Sequence, residues 1–364
     1  MESRPIILFV DDDPMLLAST RRRFASLADD WELHFAESGQ MALEISDRVM
    51  PTAVVTDMRM PDMDGAVLLT EIQRRVPDSI RIILSGQTNG EELAQAHVVA
   101  HTILRKPCET ETICNLLRQC FSMRQRLANP TIRKLIASNA SIPASPTAIS
   151  EILVLLRAPE MSIDHLTMVI RSDLGLYAYI IKLINSSHYG MRSRIHDIDQ
   201  AIMLLGVSAL RAIFCGLKLA NSLSPKIEEH LCADVFDGGM RLAHRVLRLA
   251  NHHGKSKLFA DDCYIAALFQ DFGQLVFAAC FGNEYTQLLA RAKASGESLS
   301  KLEQVAYQCT HAVAGAYLLT LWSFSPQIVE CICQHEDTVD AISREPRTVE
   351  EFVRHASQNE VRSQ

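Results

Sequence analysis

Five short apolar runs recur in the first third of the chain: Ile6–Val10, Glu32–Ala36, Ala53–Thr56, Ile80–Leu84 and Thr102–Leu104. Amphipathic stretches near 14–28, 39–48, 65–76, 89–99 and 109–126 separate them. Strands of this length alternating with helices predict a five-stranded, doubly wound parallel sheet, with right-handed crossovers. Four of the runs lead into a polar group. These are Asp11-Asp12-Asp13 after the first, Asp57 after the third, Ser85 after the fourth and Lys106-Pro107 after the fifth. In a parallel sheet such groups gather at the carboxyl edge of the strands.

Two acids, a separate aspartate, a hydroxyl and a lysine at one edge are what phosphorylation of an aspartate requires. A carboxylate attacks phosphorus only if both negative charges are managed. Asp11 and Asp12 offer hard oxygen ligands for Mg2+. Lys106 would pair with Asp57 or with the phosphoryl group, and Ser85 would donate to a phosphoryl oxygen. Each group alone has an ordinary structural reading, and Asp13-Pro14 suits a helix N-cap. Four in register and in order do not.

These motifs resemble the receiver domain of bacterial response regulators over about residues 4–122. The resemblance makes Asp57 the phosphoacceptor and Asp11, Asp12, Asp57 and the Arg59 backbone carbonyl the Mg2+ ligands. It makes Ser85 and Lys106 the phosphoryl-binding pair, commonly with a cis bond before the proline. The switch position, often aromatic in that family, is Ile103. The face made by the fourth helix, fifth strand and fifth helix is the expected output surface.

After about residue 146 the strand signal fades and helical periodicity takes over, as with Ile149, Ile152, Leu153 and Leu156 on one face. Helices are expected near 162–172, 174–186, 197–205, 207–223, 228–252, 260–280, 283–294, 300–322, 325–333 and 348–357. The organisation predicted is 1–125 as the sheet domain, 126–145 as a linker, 146–357 as an all-α domain and 358–364 as a polar tail. Within the linker, 131–138 has the pattern of a short helix.

In the helical half, Phe269-Gln270-Asp271-Phe272-Gly273-Gln274 resembles the motif of HD phosphohydrolases, where a His-Asp pair precedes a lysine. His244, His311 and His335 are the other polar positions that fit it. Gln270 stands in place of the ligand histidine and Gln274 in place of the lysine, and an amide is a poor transition-metal ligand. The stretch Asp173–Gly206 adds the pattern of the HDOD relatives of HD enzymes, which keep the fold without reliable catalytic residues. The resemblance thus implies a degenerate cluster of His244, Gln270, Asp271, His311 and His335, with no metal in the HDOD half.

The expectation is a response regulator in which a sensor histidine kinase phosphorylates Asp57 and thereby switches an HDOD module toward downstream signalling proteins. A homodimer is left open. The rival reading is an active metal-dependent HD-type phosphohydrolase acting on a nucleotide or another phosphoester. DNA binding is argued against by the net charge of −7 and by the lack of a basic recognition helix. Arg241, His244, Arg245, Arg248 and Lys255 form a local basic stretch without interleaved aromatics, which reads as a solvated face. Adjacent His252 and His253 point about 100° apart on a helix and read the same way. Ten cysteines without a regular framework, and no apolar run near the ~20 residues of a membrane span, predict a cytoplasmic protein.

Overall fold

A computed structural model describes residues 4–25, 30–86, 96, 99–127, 129–138, 146–156, 162–185, 195, 197–206, 210, 214, 229–336 and 348–361. The strands are β1 (Ile6–Val10), β2 (Glu32–Ala36), β3 (Ala53–Asp57), β4 (Ile80–Ser85) and β5 (Thr102–Arg105). All pair in parallel in the order β2-β1-β3-β4-β5. The order doubles back at β1, which leaves a crevice outside the carboxyl ends of β1 and β3. Helices α1 (Pro14–Phe24), α2 (Gly39–Val49), α3 (Gly65–Arg75) and α4 (Thr110–Arg126) flank the sheet. The helix expected near 89–99 lies almost wholly outside the described residues.

Local chemistry explains the helix starts. Asp13 caps α1 by accepting from the Met15 and Leu16 amides, with Pro14 at the first helical position. Ser38 and Asp64 cap α2 and α3 in the same way.

The sheet has two different faces. Leu8, Val10, Val54, Ile83 and Ile103 join one apolar cluster with residues of α2 and α3. Ile7, Phe9, Val55, Ile82 and Leu104 face the other way, into a cluster that includes Phe121 and continues without a break into the helical half.

That half contains α5 (Pro130–Ser138), α6 (Pro146–Leu155), α7 (Ile163–Arg171), α8 (Leu174–Asn185), a helical segment at 198–206, and α9 (Glu229–His252). It continues through α10 (Lys257–Phe269), α11 (Phe272–Phe281), α12 (Asn283–Ser295), α13 (Leu299–Tyr307), α14 (His311–Leu321), α15 (Pro326–Cys333) and α16 (Val349–Val361). Most of the helix expected at 207–223 lies outside the described residues.

The short helix expected at 131–138 is present as α5, with Ile132, Ile136 and Ala137 buried. Two sequence expectations need correction. The expected tail is helical through Val361. Two expected long helices are each broken, at Gln270–Asp271 and at Gln308–Thr310. Gln308 is left-handed (φ 55°) and Thr310 caps α14 through the Val313 amide. The stretch Lys257–Phe281 is apolar and long enough to cross a membrane by composition, yet 61% of its most apolar window is buried inside the protein. No disulfide joins the described cysteines.

The junction between the halves is polar as well as apolar. Thr102 of β5 donates to the Leu321 carbonyl at the end of α14 (2.7 Å) and also meets the Ser323 hydroxyl (2.7 Å). Arg126 pairs with Glu330, and the Asn129 amide donates to the Tyr307 carbonyl. Arg81, fully buried, donates to the carbonyls of Val99, Ser79 and Ala137. Nearby in charge, Lys182 is also buried, with its ammonium 5.0 Å from the Trp322 ring and 5.4 Å from that of Tyr179. Burial, and then the Arg81 charge, lower the Lys182 pKa to about 7.

An unfolded lysine titrates near 10.4, so between pH 7 and about 10 the unfolded chain holds the extra proton and stability rises with pH. Lys182→Met is therefore expected to raise the Tm at pH 7. Calorimetry across pH 7–10 should show the gap to the parent narrowing as pH increases.

Candidate functional site

β1 and β3 are neighbours in the sheet, and β5 lies two strands from β3. Their carboxyl ends deliver Asp11, Asp57 and Lys106 to one point. Lys106 Nζ contacts Asp11 Oδ2 at 2.8 Å and also pairs with Asp57 Oδ1. Asp57 Oδ2 accepts the Arg59 amide at 3.1 Å, and Asp11 Oδ1 accepts the Asp13 amide at 3.0 Å. Burial alone would lower the Lys106 pKa, but hydrogen bonds and charge from Asp11 and Asp57 outweigh it and hold the ammonium above its ordinary value. The Lys106-Pro107 peptide is cis, and the Lys106 amide donates to the Ser85 carbonyl at 2.6 Å.

Gly65, at the start of α3, sets the floor of this crevice. Its amide donates to the Met58 carbonyl at 2.8 Å, and a Cβ there would lie 2.3 Å from the Asp57 carbonyl oxygen. Only glycine lets the 58–64 loop close so tightly under Asp57.

Not every expected residue joins the site. Asp12 is exposed, and Asp11, Asp12 and Asp57 do not form a group whose ligand atoms all lie within 4.8 Å of one another. Lys106 stands between Asp11 and Asp57, where their oxygens converge on one positive charge. That donor set, two carboxylates turned toward a single cation, fits a hard divalent ion. Ser85 is 1% exposed at the end of β4. Ile103 is buried on the sheet face with Ala96, Val99 and Ala100, away from the helical half. It is the adjacent Thr102 that reaches across the junction.

A second polar cluster lies in the helical half, built by the two helix breaks. Asp271 is the residue before α11 and His311 is the first of α14. Their helix ends meet because glycines line the crossing. A Cβ at Gly273 would lie 1.8 Å from the His311 carbonyl oxygen, and one at Gly315 2.8 Å from the Gly273 nitrogen. Asp271 Oδ1 lies 3.5 Å from His311 Nε2 and 3.6 Å from His335 Nε2. Gln270 and Gln274 both donate side-chain amides to the Asp271 carboxylate, at 3.1 Å each.

Behind His311 is Glu303, fully buried on α13. It accepts from His311 Nδ1 and the His311 amide (both 2.8 Å) and from the Tyr285 hydroxyl (2.6 Å). Burial would raise the Asp271 pKa, yet His311 and His335 hold it far below the usual carboxylate range. For His311, burial works downward and the Asp271 and Glu303 carboxylates prevail, lifting it to about 10.

His244 does not join this cluster. It is exposed, with its ring edge-on to Tyr264. Glu303, Tyr285 and Glu336 were not foreseen. A lone glutamate eight residues before a histidine carries no periodic or motif signal, and only the turn at 308–310 brings the two together. His252 and His253 are exposed, as expected.

The HDOD domain model matches residues 142–338, and the response regulator receiver domain model matches 7–118. The chain belongs to the HDOD family and carries an N-terminal receiver domain. An uncharacterized protein of Treponema pallidum (strain Nichols) is 25% identical over 208 residues, 56% of this chain and 40% of that protein. The transcriptional regulatory protein GlrR of Escherichia coli (strain K12) is 32% identical over 37% of this chain and 30% of its own length. The chain thus spans well under half of these two curated relatives. Among solved structures, the MmoQ response regulator of Methylococcus capsulatus is 23% identical, covering 60% of this chain and 81% of that one, with a TM-score of 0.44. The signal receiver domain of an HD domain-containing protein from Pseudomonas fluorescens Pf-5 is 29% identical over 32% of this chain and 94% of that one, with a TM-score of 0.31.

Both close approaches are open to test. Gly65→Ala should cost about 1–3 kcal/mol, and Gly273→Ala more, because each new methyl meets backbone rather than a flexible side chain. Denaturant midpoints on the full chain would show the larger drop for Gly273→Ala; an unchanged midpoint for either would contradict the tight packing described.

Proposed function

We propose that the chain is a phosphorylation-controlled signalling protein in which Asp57 accepts a phosphoryl group and the helical half responds as an interaction module. The observation that carries this reading is the shared contact of Lys106 with Asp11 and Asp57. It offers a carboxylate nucleophile beside a fixed cation, in a crevice open at the strand ends.

The phosphodonor is read as a sensor histidine kinase, whose phosphoimidazole passes its phosphoryl group to an Asp57 oxygen. Asp11 and Asp57 would hold Mg2+, with Asp12 and the Arg59 carbonyl beside them. When bound, the ion supplies positive charge to the phosphoryl oxygens. Lys106, already held as an ammonium, would turn from the Asp57 carboxylate to the new dianion. Ser85 would donate its hydroxyl to a phosphoryl oxygen, drawing the end of β4 inward.

The movement has a short route to the helical half. β5 pairs with β4, and Thr102 of β5 is hydrogen-bonded to the end of α14. Differential contact of this kind is what lets a local charge change bias a neighbouring domain. The helical half is read as non-hydrolytic because Gln270 and Gln274 occupy the positions of the HD histidine and lysine, and their amides are spent on Asp271. Its downstream partners are read as proteins.

Fluoroberyllate, a phosphoryl mimic, should bind the full chain with Mg2+ and fail with Asp57→Asn. Binding that survives the substitution would refute the assignment of Asp57. Thr102→Val keeps the shape and removes the hydroxyl. It should leave fluoroberyllate binding intact and blunt the mimic-induced change in amide hydrogen exchange along α14. An equal exchange response in parent and Thr102→Val would exclude this route.

A further inference from the structure

We propose that the open edge of β2, with the groove beside it, is a docking surface for an extended acidic segment of a partner protein, which would add to the five-stranded sheet as a further strand. The inference goes beyond the phosphoacceptor reading, since it uses no residue of either polar site. Its ground is the strand order. β2 ends the sheet and pairs with β1 alone. The Glu32 amide donates to the Pro5 carbonyl, and the Ala36 carbonyl accepts from the Asp11 amide, so the even-numbered residues of β2 turn their backbone groups toward β1. Backbone direction alternates along a strand. The amides and carbonyls of Leu33 and Phe35 therefore turn outward, to an edge that no described strand covers.

The same two residues open onto a groove. Leu33 and Phe35 are half-buried, and with Trp31 and Ala25, which follows α1, they line a space of about 630 Å3. Arg4 and Arg21 share that lining, and the Arg21 guanidinium lies 4.6 Å from the centre of the Phe35 ring. A third arginine, Arg118 of α4, lies 5.8 Å from the centre of the Trp31 ring. The carboxylate in the lining is that of Glu32, and His34 engages it at 2.7 Å. A strand laid along this edge would satisfy the backbone groups of Leu33 and Phe35. Carboxylates on that strand would meet the arginines beside partly apolar walls, which makes the surface complementary to negative charge.

Charge and ring access select a protein as the occupant. A second copy of this chain, paired edge to edge, would bring both sets of Arg4, Arg21 and Arg118 to one seam, and like charges opposed across paired strands are destabilising. A single-stranded nucleic acid would need an aromatic face on which to stack a base. Trp31 is 5% exposed, with its ring edge-on to Phe121 and close to Arg118. Phe35 is stacked on Phe9 at 5.6 Å and also holds the Arg21 guanidinium, so both rings are already engaged. A peptide strand needs no such face, because its affinity comes from main-chain hydrogen bonds and its selectivity from alternate side chains.

The test uses the full chain and a fluorescein-labelled probe, Glu-Thr-Val-Thr-Val-Thr-Glu with an amidated end, whose alternate residues put two valines and two glutamates on one face of a strand. Titration followed by fluorescence anisotropy should saturate below about 1 mM. Amide hydrogen exchange should show new protection at Leu33 and Phe35 in the complex. Two further probes, N-methylated at alternate residues in either frame, keep the charge but block one edge each, so one should lose binding and the other keep it. Arg21→Glu, at an exposed position, should weaken the probe by about tenfold and leave fluoroberyllate binding unchanged, which shows that the fold is intact. No saturation, no protection at Leu33 and Phe35, equal binding by the two N-methylated probes, or equal binding by a probe with lysines for glutamates would overturn the proposal. So would the same protection produced by raising the protein concentration alone, the mark of a second copy, or by a single-stranded oligonucleotide at ~0.15 M salt.

Discussion

The close crossing of α11 and α14 at Gly273 and Gly315 is the constraint on which the helical half turns. Backbone meets backbone there, so neither helix can slide without a clash. The crossing fixes where each helix begins, and each begins at a polar residue of the cluster. The same α14 ends at Leu321, whose carbonyl receives the Thr102 hydroxyl from β5. One eleven-residue helix thus touches the polar cluster at its first residue and the receiver sheet at its last. One helix held at both ends is a continuous physical link between the two regions.

The two polar sites use the same electrostatic device in opposite senses. Near β1 and β3, a single ammonium neutralises two carboxylates at the carboxyl edge of the sheet. In the helical half, Asp271, Glu303 and Glu336 surround His311 in a buried setting. There an uncompensated carboxylate would be costly, and positive charge must be held in place. The first arrangement is partly exposed and the second is buried.

Much of this was legible in the sequence where a regular pattern carried it. The five strands follow from the apolar runs, and the convergence of Asp11, Asp57 and Lys106 follows from strands that run parallel. What escaped was set by single residues acting against pattern. Gln308 in a left-handed turn and Asp271 at a helix start break stretches whose apolar periodicity runs straight through, and neither break is marked by glycine or proline. Glu303 belongs to the site only because the turn at 308–310 folds α13 back on α14. Asp12 is exposed beside Asp11, a difference that two adjacent acids in a sequence do not announce. The two central glutamines, losses by comparison with the HD motif, are in the structure donors that steady Asp271.

The apolar cluster that starts on one face of the sheet and runs unbroken to Phe352 bears on whether the two halves could be exchanged separately. Here α4 and α5 are shared upholstery between them. A grafted receiver would have to bring matching side chains along this seam to keep the shared core filled.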